Sequence, residues 1–189
     1  MTSLTGTGAP TAGDGRPAPT PSQTIGPFFR GGLAHPHWTE LVPPGTPEEV
    51  LLTGTVYDGD GATVADVLVE VWQPDLAHDP VGARAGSGAP GFGRCETHDG
   101  GRYRFRTRRP RALDGGAPHV DLTVFGRGVL RRLVTRLYLG DEAAANAADP
   151  LLASLDPERR ETLVARREGD AYVLDLHLQG ERETVFLDV

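Results

Sequence analysis

The chain has 189 residues, of which 26 are acidic and 19 are basic, and its formal net charge is −7. A chain of this length can bury a core of its own, and the negative charge disfavours nucleic acid as a partner. The single cysteine, Cys95, excludes an intrachain disulfide and indicates the reducing cytoplasm. No apolar run approaches the roughly 20 residues that a membrane span requires, so we expect no membrane association.

The composition divides the chain into three parts. Residues 1–19 are rich in Thr, Gly, Ala and Pro and lack the pattern of a secretory signal, so we expect a disordered leader. Residues 20–49 are predicted to form an extended arm. Residues 50–189 contain short β-branched and aromatic runs separated by Gly- and Asp-rich turns, which is typical of an antiparallel all-β domain. The fold class we predict is an antiparallel β-sandwich with few short helices.

The predicted elements of this domain follow in chain order. The strands are 50–57, 67–73, 102–108, 120–125, 130–139, 172–179 and 184–187. A helix is predicted over 141–148, with a further turn or two between 157 and 165. Strand 172–179 should turn Tyr172, Leu174, Leu176 and Leu178 to the core, because successive side chains of a strand alternate between its faces. Strand 102–108 should likewise bury Tyr103, Phe105 and Thr107 opposite its four arginines.

Two pairs of residues have the spacing of metal ligands. His119 and Asp121 lie two positions apart in a predicted strand, so both side chains should share one face. His35 and His37 form a second pair in a proline-rich loop. A catalytic metal site needs about three protein ligands, and neither pair has an obvious third, so we predict a structural or interface role and no metal site. Cys95 has no convincing basic or His partner by spacing and is not expected to be a nucleophile.

Arg127 lies between Gly126 and Gly128 at the end of a predicted strand. The two glycines leave space around the guanidinium, which suits a fork presented to an anionic ligand. A solvated turn arginine is the more common outcome for such a sequence. The residues alone therefore leave both interpretations open, and they do not separate an enzyme from a binding module.

Residues 20–29, with the sequence TPSQTIGPFF, resemble the N-terminal signature of the intradiol ring-cleavage dioxygenases, in the α subunit of the two-subunit members. Residues 180–186, with the sequence GERETVF, are a second specific match. Weaker matches continue in the family's order at 54–58, 70–75, 92–94, 117–121, 125–128, 135–138 and 159–163. The resemblance covers the chain from Thr20 to Val189.

This resemblance implies a hetero-oligomer of α and β subunits in which Fe(III) is held by two Tyr and two His of the partner β subunit. It also implies cleavage of protocatechuate with O2 to 3-carboxy-cis,cis-muconate. In this chain the family's metal-binding His-x-His is His119-Val120-Asp121, residues 109–113 replace a proline–tyrosine turn, and the loop 77–90 contains no Tyr. We therefore expect no iron in this chain. By position, Gly26, Pro27, Phe28 and Arg127 would form its part of the substrate pocket.

Two alternatives remain at this stage. One is a homomeric dioxygenase for another catechol, which the missing Tyr ligands disfavour. The other is a non-catalytic β-sandwich binding module, which would share the turns of the domain but has no evident use for the specific run at residues 20–29.

Overall fold

A computed structural model describes residues 19–77, 79, 89–97, 100–113 and 115–189. Of the predicted leader, all but Pro19 lies outside the described residues. The loop 77–90 is likewise described only at Ala77, Asp79, Ala89 and Pro90. No helix among the described residues is long and apolar enough to cross a membrane.

Strands dominate the described part of the chain. They are β1 (Glu49–Tyr57), β2 (Leu68–Trp72), β3 (Phe92–Glu96), β4 (Arg102–Arg108), β5 (His119–Phe125), β6 (Leu133–Leu139), β7 (Val164–Glu168), β8 (Ala171–Val173) and β9 (Leu176–His177). The helices are short, as predicted. They are α1 (Pro27–Leu33), α2 (Ala143–Ala148), α3 (Pro150–Ala153) and α4 (Pro157–Glu161), with 3-10 turns at Pro36–Thr39 and Pro74–Leu76. The predicted arm thus contains a helix and a 3-10 turn in addition to extended segments.

The strands form one hydrogen-bonded path in the order β3-β2-β5-β6-β7-β8-β1-β4, and β9 also pairs with β1. The two end strands, β3 and β4, lie close to each other, so the sheet folds over itself as a nearly closed sandwich. The prediction of a purely antiparallel sheet is wrong in three places. The pairs β6–β7, β1–β8 and β1–β9 are parallel. For β6–β7, the helices α2 to α4 between the two strands return the chain so that it runs in the same direction.

The core lies between the folded halves of this sheet. Alternate residues of β1, β4 and β5 are buried. The inward faces predicted for strands 102–108 and 172–179 are confirmed, with Leu178 partly buried against the core. Arg108 is an exception on the arginine face of β4, because it is only 7% exposed. Its guanidinium pairs with Asp79 at 2.8 Å and with Asp75 at 3.5 Å, which compensates for the burial of its charge.

The predicted strand 172–179 is interrupted at Leu174 and Asp175. The phenol of Tyr103 donates to the backbone oxygen of Leu174 at 2.7 Å, and the Asp175 carboxylate accepts from the backbone N–H of Thr55 at 2.9 Å. Gly54 permits this arrangement, since a Cβ added there would lie 1.8 Å from the Leu174 oxygen. At Leu174 and Asp175, hydrogen bonds that involve side chains thus take the place of regular backbone pairing, and the predicted strand is divided into β8 and β9.

Other element predictions are also corrected. Strand 184–187 is reduced to one bridge between Leu187 and Val134, and the predicted strand 130–139 begins only at Leu133. The sequence patterns missed β3 and β7. β3 contains Gly93, whose added Cβ would lie 2.6 Å from Leu41, so its glycine marks close packing against the arm and not a turn.

Candidate functional site

The arm and the loop between β5 and β6 meet at one end of the molecule. The hydroxyl of Thr24 accepts a hydrogen bond from the backbone N–H of Gly128 at 2.7 Å. At the far end of α1, the backbone oxygen of Leu33 accepts from Nη1 of Arg94 at 3.4 Å. Residues 26–28 therefore lie between two anchoring points that hold the arm against the sheet.

Two of the predicted pocket residues of the arm, Gly26 and Phe28, are exposed in the segment between those anchors. Phe28 has 92% of its surface exposed, and nothing lies within 4 Å of the position that a Cβ on Gly26 would take. Pro27 begins α1. An aromatic ring this exposed is unusual in a folded domain and is suited to contact with another molecule.

Arg127 occupies the second position of a tight turn. Gly126 accepts the hydrogen bond from the N–H of Val129 at 3.2 Å, and Gly128, with a φ of +84°, takes the position that favours glycine. The guanidinium Nη1 donates to Oδ2 of Asp66 at 3.2 Å, with the Arg127 side chain 65% exposed. The turn leaves the Arg127 side chain solvated, and Asp66 offers its guanidinium one hydrogen-bond acceptor.

His119 and Asp121 do share one face of β5, as the spacing predicted. His119 Nδ1 lies 2.8 Å from the backbone oxygen of Ala117, and its Nε2 lies 4.0 Å from Asp121. The Asp121 carboxylate accepts from Nε of Arg136 at 3.0 Å. Among the described residues, no group of three or more His, Cys, Asp or Glu side chains is arranged to hold a metal ion.

A cavity of about 380 Å³ lies beside His119 and Asp121. One wall of this cavity includes Asp149, whose carboxylate caps α3 through the N–H groups of Leu151 and Leu152. Burial acts to raise the pKa of Asp149, but hydrogen bonds from Ala117, Leu152, Tyr138 and Leu151 outweigh it and hold that pKa below its ordinary value. The carboxylate therefore stays charged and serves as a structural bridge.

The segment 109–113, where the resemblance implies a lost tyrosine, is held by ion pairs. Arg109 bonds to Asp141 at 3.0 Å and to Glu142 at 2.6 Å, and it also donates to the Tyr172 hydroxyl. Arg111 reaches Glu48 at 3.3 Å. Arginines at these positions fasten the segment to its neighbours and offer no anionic oxygen to a metal.

Cys95 is on the inward face of β3 and is 8% exposed. Burial is the main cause that raises the pKa of its thiol, and a backbone hydrogen bond from Arg104 only partly offsets it. The group is therefore a neutral, packed thiol at neutral pH, in agreement with the expectation that it is no nucleophile.

The sequence patterns did not single out Asp66, nor the role of Arg94. Arg94 pairs with Glu70 on β2, and its guanidinium lies 5.0 Å from the ring centroid of Trp38 and 5.2 Å from that of Phe92. The cross-strand register brings Glu70 opposite Arg94, and no local pattern encodes that register. Asp66 carries a weak signal, since it is an acidic residue directly before a buried strand.

Solved structures of dioxygenases have a fold similar to that of this chain. No family model matches the chain. A solved dioxygenase domain of a dioxygenase–carbohydrate-binding fusion from Streptomyces sp. SirexAA-E is 27% identical, covers 86% of this chain and 99% of its own length, and gives a TM-score of 0.58. An intradiol ring-cleavage dioxygenase from Tetranychus urticae covers 74% of this chain at a TM-score of 0.58, and at 13% identity it shows the fold alone.

Curated relatives refine the class. The protocatechuate 3,4-dioxygenase alpha chain of Burkholderia cepacia is 42% identical over 90% of this chain and 97% of its own length. The alpha chain of Pseudomonas putida is 42% identical over 89% and 96%. The beta chain of Burkholderia cepacia is 34% identical over 82% of this chain and 75% of its own length. The fold is thus that of the intradiol dioxygenases, and the chain belongs to the protocatechuate 3,4-dioxygenase family, as a relative of its alpha chains.

Proposed function

We propose that this chain is the α subunit of a dioxygenase that cleaves protocatechuate with O2 to 3-carboxy-cis,cis-muconate, in a hetero-oligomer whose β subunit holds Fe(III). The observation that carries the proposal is the 42% identity to two alpha chains over about nine-tenths of the sequence, against 34% to a beta chain. The buried, single Cys95 supports the cytoplasm as the site of action.

The residues that the structure describes at the family's metal-binding strand do not fit the iron. Fe(III) favours anionic oxygen together with imidazole, and at the relevant strand only His119 and Asp121 are present. Asp121 is neutralised by Arg136, and Tyr138 donates its hydroxyl to Asp149 at 3.2 Å. Burial also raises the pKa of Tyr138, so its phenol stays neutral. This lack of fit supports a site on the partner for the metal, which would activate the catechol ring toward O2 when bound.

The contribution of this chain would be to shape the substrate pocket and orient the ring. Phe28, exposed between the two anchors of the arm, would enter the partner's site and exclude water from it. Gly26 and Pro27 would form the adjoining wall. Arg127 would hold the carboxylate of protocatechuate, because a guanidinium matches a carboxylate in charge and geometry. Together these contacts would hold the catechol hydroxyls toward the partner's metal.

The alternative of a non-catalytic binding module is not favoured. The relatives that are 42% identical to this chain are enzyme subunits. The resemblance also includes the arm, which a simple binding module would not need. A homomeric dioxygenase is disfavoured because Arg109 and Arg111 lie where a metal-binding tyrosine turn is expected.

The test is to purify the chain alone and after co-expression with a β-type partner, and to measure iron content, visible absorbance and O2 uptake with protocatechuate. We expect a colourless, inactive chain alone and a coloured, iron-containing, O2-consuming complex. Iron binding and turnover by the chain alone would show that the ligand argument is wrong. Absence of iron and turnover in both preparations would favour the binding module.

A further inference from the structure

Three segments that are distant in the sequence converge at Arg127. The arm contributes Thr24, the connection between β1 and β2 contributes Asp66, and the β5–β6 turn contributes Arg127 and Gly128. The Thr24–Gly128 contact spans 104 positions and the Asp66–Arg127 contact spans 61. Contacts between residues so far apart in the sequence depend on the tertiary fold. Both contacts end on Arg127 and Gly128, the two central residues of one turn.

Asp66 is attached to a rigid part of the structure. Its neighbour Val67 exchanges hydrogen bonds with Thr97, donating to the Thr97 hydroxyl at 3.0 Å and accepting from the Thr97 backbone N–H at 2.9 Å. The same hydroxyl lies 3.0 Å from the backbone oxygen of Val64. Val67 and Thr97 are fully buried, so the backbone on both sides of Asp66 is fixed. Its carboxylate therefore offers Arg127 an acceptor at a defined position.

The ion pair between Asp66 and Arg127 contributes little to the stability of the fold. The side chains of Asp66 and Arg127 are 35% and 65% exposed, so solvent screens their attraction. The main effect of the pair is to orient the Arg127 guanidinium. A free arginine side chain in a glycine-flanked turn has many rotamers, and it loses that conformational freedom when it binds an anion. Because Asp66 already orients the guanidinium before the anion binds, less conformational entropy is lost on binding.

We propose that Asp66 and Thr24 are positioning residues for the substrate, Asp66 for its carboxylate and Thr24 for its ring. Asp66 directs the Arg127 guanidinium, and Thr24 sets the arm, with Gly26 to Phe28, at a fixed distance from the Arg127 turn. This inference rests on the proposed function, and it predicts selectivity. The contribution of Asp66 should be large for a catechol that carries a carboxylate and small for one that does not.

The experiment compares protocatechuate with catechol as substrates of the co-expressed complex. We expect Asp66→Asn to raise KM for protocatechuate about fivefold, with a smaller change in kcat, because it weakens the orientation of Arg127 before binding. With catechol the change should be at least threefold smaller. Asp66→Glu should restore part of the loss. Asp60→Asn, which removes the same charge from the same connection at an exposed position, is the matched control.

A double variant tests whether Asp66 acts through Arg127. In the Arg127→Ala background, Asp66→Asn should have little further effect, so the two losses should not add. Thr24→Val, which removes the acceptor of the Gly128 N–H, should lower kcat/KM about fivefold for both substrates, whereas Thr24→Ser should retain activity.

The outcomes separate this inference from the proposed function. An active wild-type complex in which Asp66→Asn changes both substrates equally, adds fully to Arg127→Ala, or lowers KM for protocatechuate would overturn the positioning role. A wild-type complex without O2 uptake on protocatechuate would overturn the proposed function itself. Unchanged kinetics in Thr24→Val would remove Thr24 from the inference.

Discussion

At the scale of single residues, Arg127 is the side chain whose charge should matter most for substrate selection. In the αβ complex, Arg127→Ala is expected to lower kcat/KM for protocatechuate by the equivalent of about 1–3 kcal/mol, because a charged hydrogen bond to the carboxylate is lost. Steady-state O2 uptake measures the effect.

Arg131 provides the control for that variant. It is an exposed arginine on the same β5–β6 loop, so Arg131→Ala removes the same charge without touching the turn that Asp66 and Thr24 hold. Equal losses in the two variants would point to general attraction of an anion to the loop. An unchanged kcat/KM in Arg127→Ala would remove this residue from the substrate pocket.

Asp149 predicts a pH dependence of stability. Its carboxylate is 2% exposed and accepts from Leu151, Leu152 and Ala117 N–H groups at 2.9, 3.1 and 3.0 Å. Because its folded pKa is lowered, the stabilisation is present in full above the unfolded value of about 3.9 and is lost as pH falls through the folded pKa.

Asp149→Asn should therefore destabilise the protein at pH 7 by about 1–3 kcal/mol, since the amide nitrogen cannot accept from Ala117. The difference in melting temperature from wild type should stay constant down to about pH 4 and narrow as the pH is lowered further through the folded pKa. Thermal unfolding of the complex over that range is the measurement, with Asp188→Asn near the exposed end of the chain as the control. A difference that stays constant with pH would contradict the assignment.

At the scale of elements, the seam between β1 and the β8–β9 segment is the most sensitive packing feature. Gly54 on β1 lies directly under the Leu174 backbone oxygen, which also accepts from Tyr103. Gly54→Ala should destabilise the fold by about 3 kcal/mol, the upper part of the range for overpacking, because the clash is with backbone and not with a movable side chain.

The measurement for Gly54→Ala is chemical denaturation of the co-purified complex, compared with Gly61→Ala in the exposed turn after β1. A Cβ on Gly61 would meet nothing within 4 Å, so its cost arises only from the positive φ of 79°. A stability of Gly54→Ala equal to that of Gly61→Ala would show that the seam can relax.

At the scale of the whole molecule, several large apolar side chains remain exposed in the chain by itself. Phe28, Val189 and Leu130 are 92%, 79% and 60% exposed, and Trp72 is 41% exposed. Exposed apolar groups of this number usually mark contact surfaces. We expect the chain expressed alone to aggregate and the co-expressed complex to remain dispersed, as measured by light scattering at matched concentrations. A monodisperse chain that behaves the same with and without the partner would contradict this expectation.

The sequence by itself determined the faces of the strands and the family. Alternation identified the buried sides of β4 and of the segment 172–179, because a strand's two faces differ in polarity wherever one is covered. The run at residues 20–29 identified the arm, and Arg127 was selected because two glycines flank it. These signals are local, since each is complete within about ten residues.

Only the tertiary structure decided which segments meet. Tyr103 and Asp175 interrupt the predicted strand 172–179 by taking backbone partners on other elements, so the period-2 pattern continues where the ladder does not. The pairing of Asp66 with Arg127 and of Thr24 with Gly128 likewise depends on the sheet path, which brings together residues 61 and 104 positions apart. A one-dimensional pattern records which side chains prefer burial, whereas the choice of partner follows from strand order and register, which many distant contacts fix together.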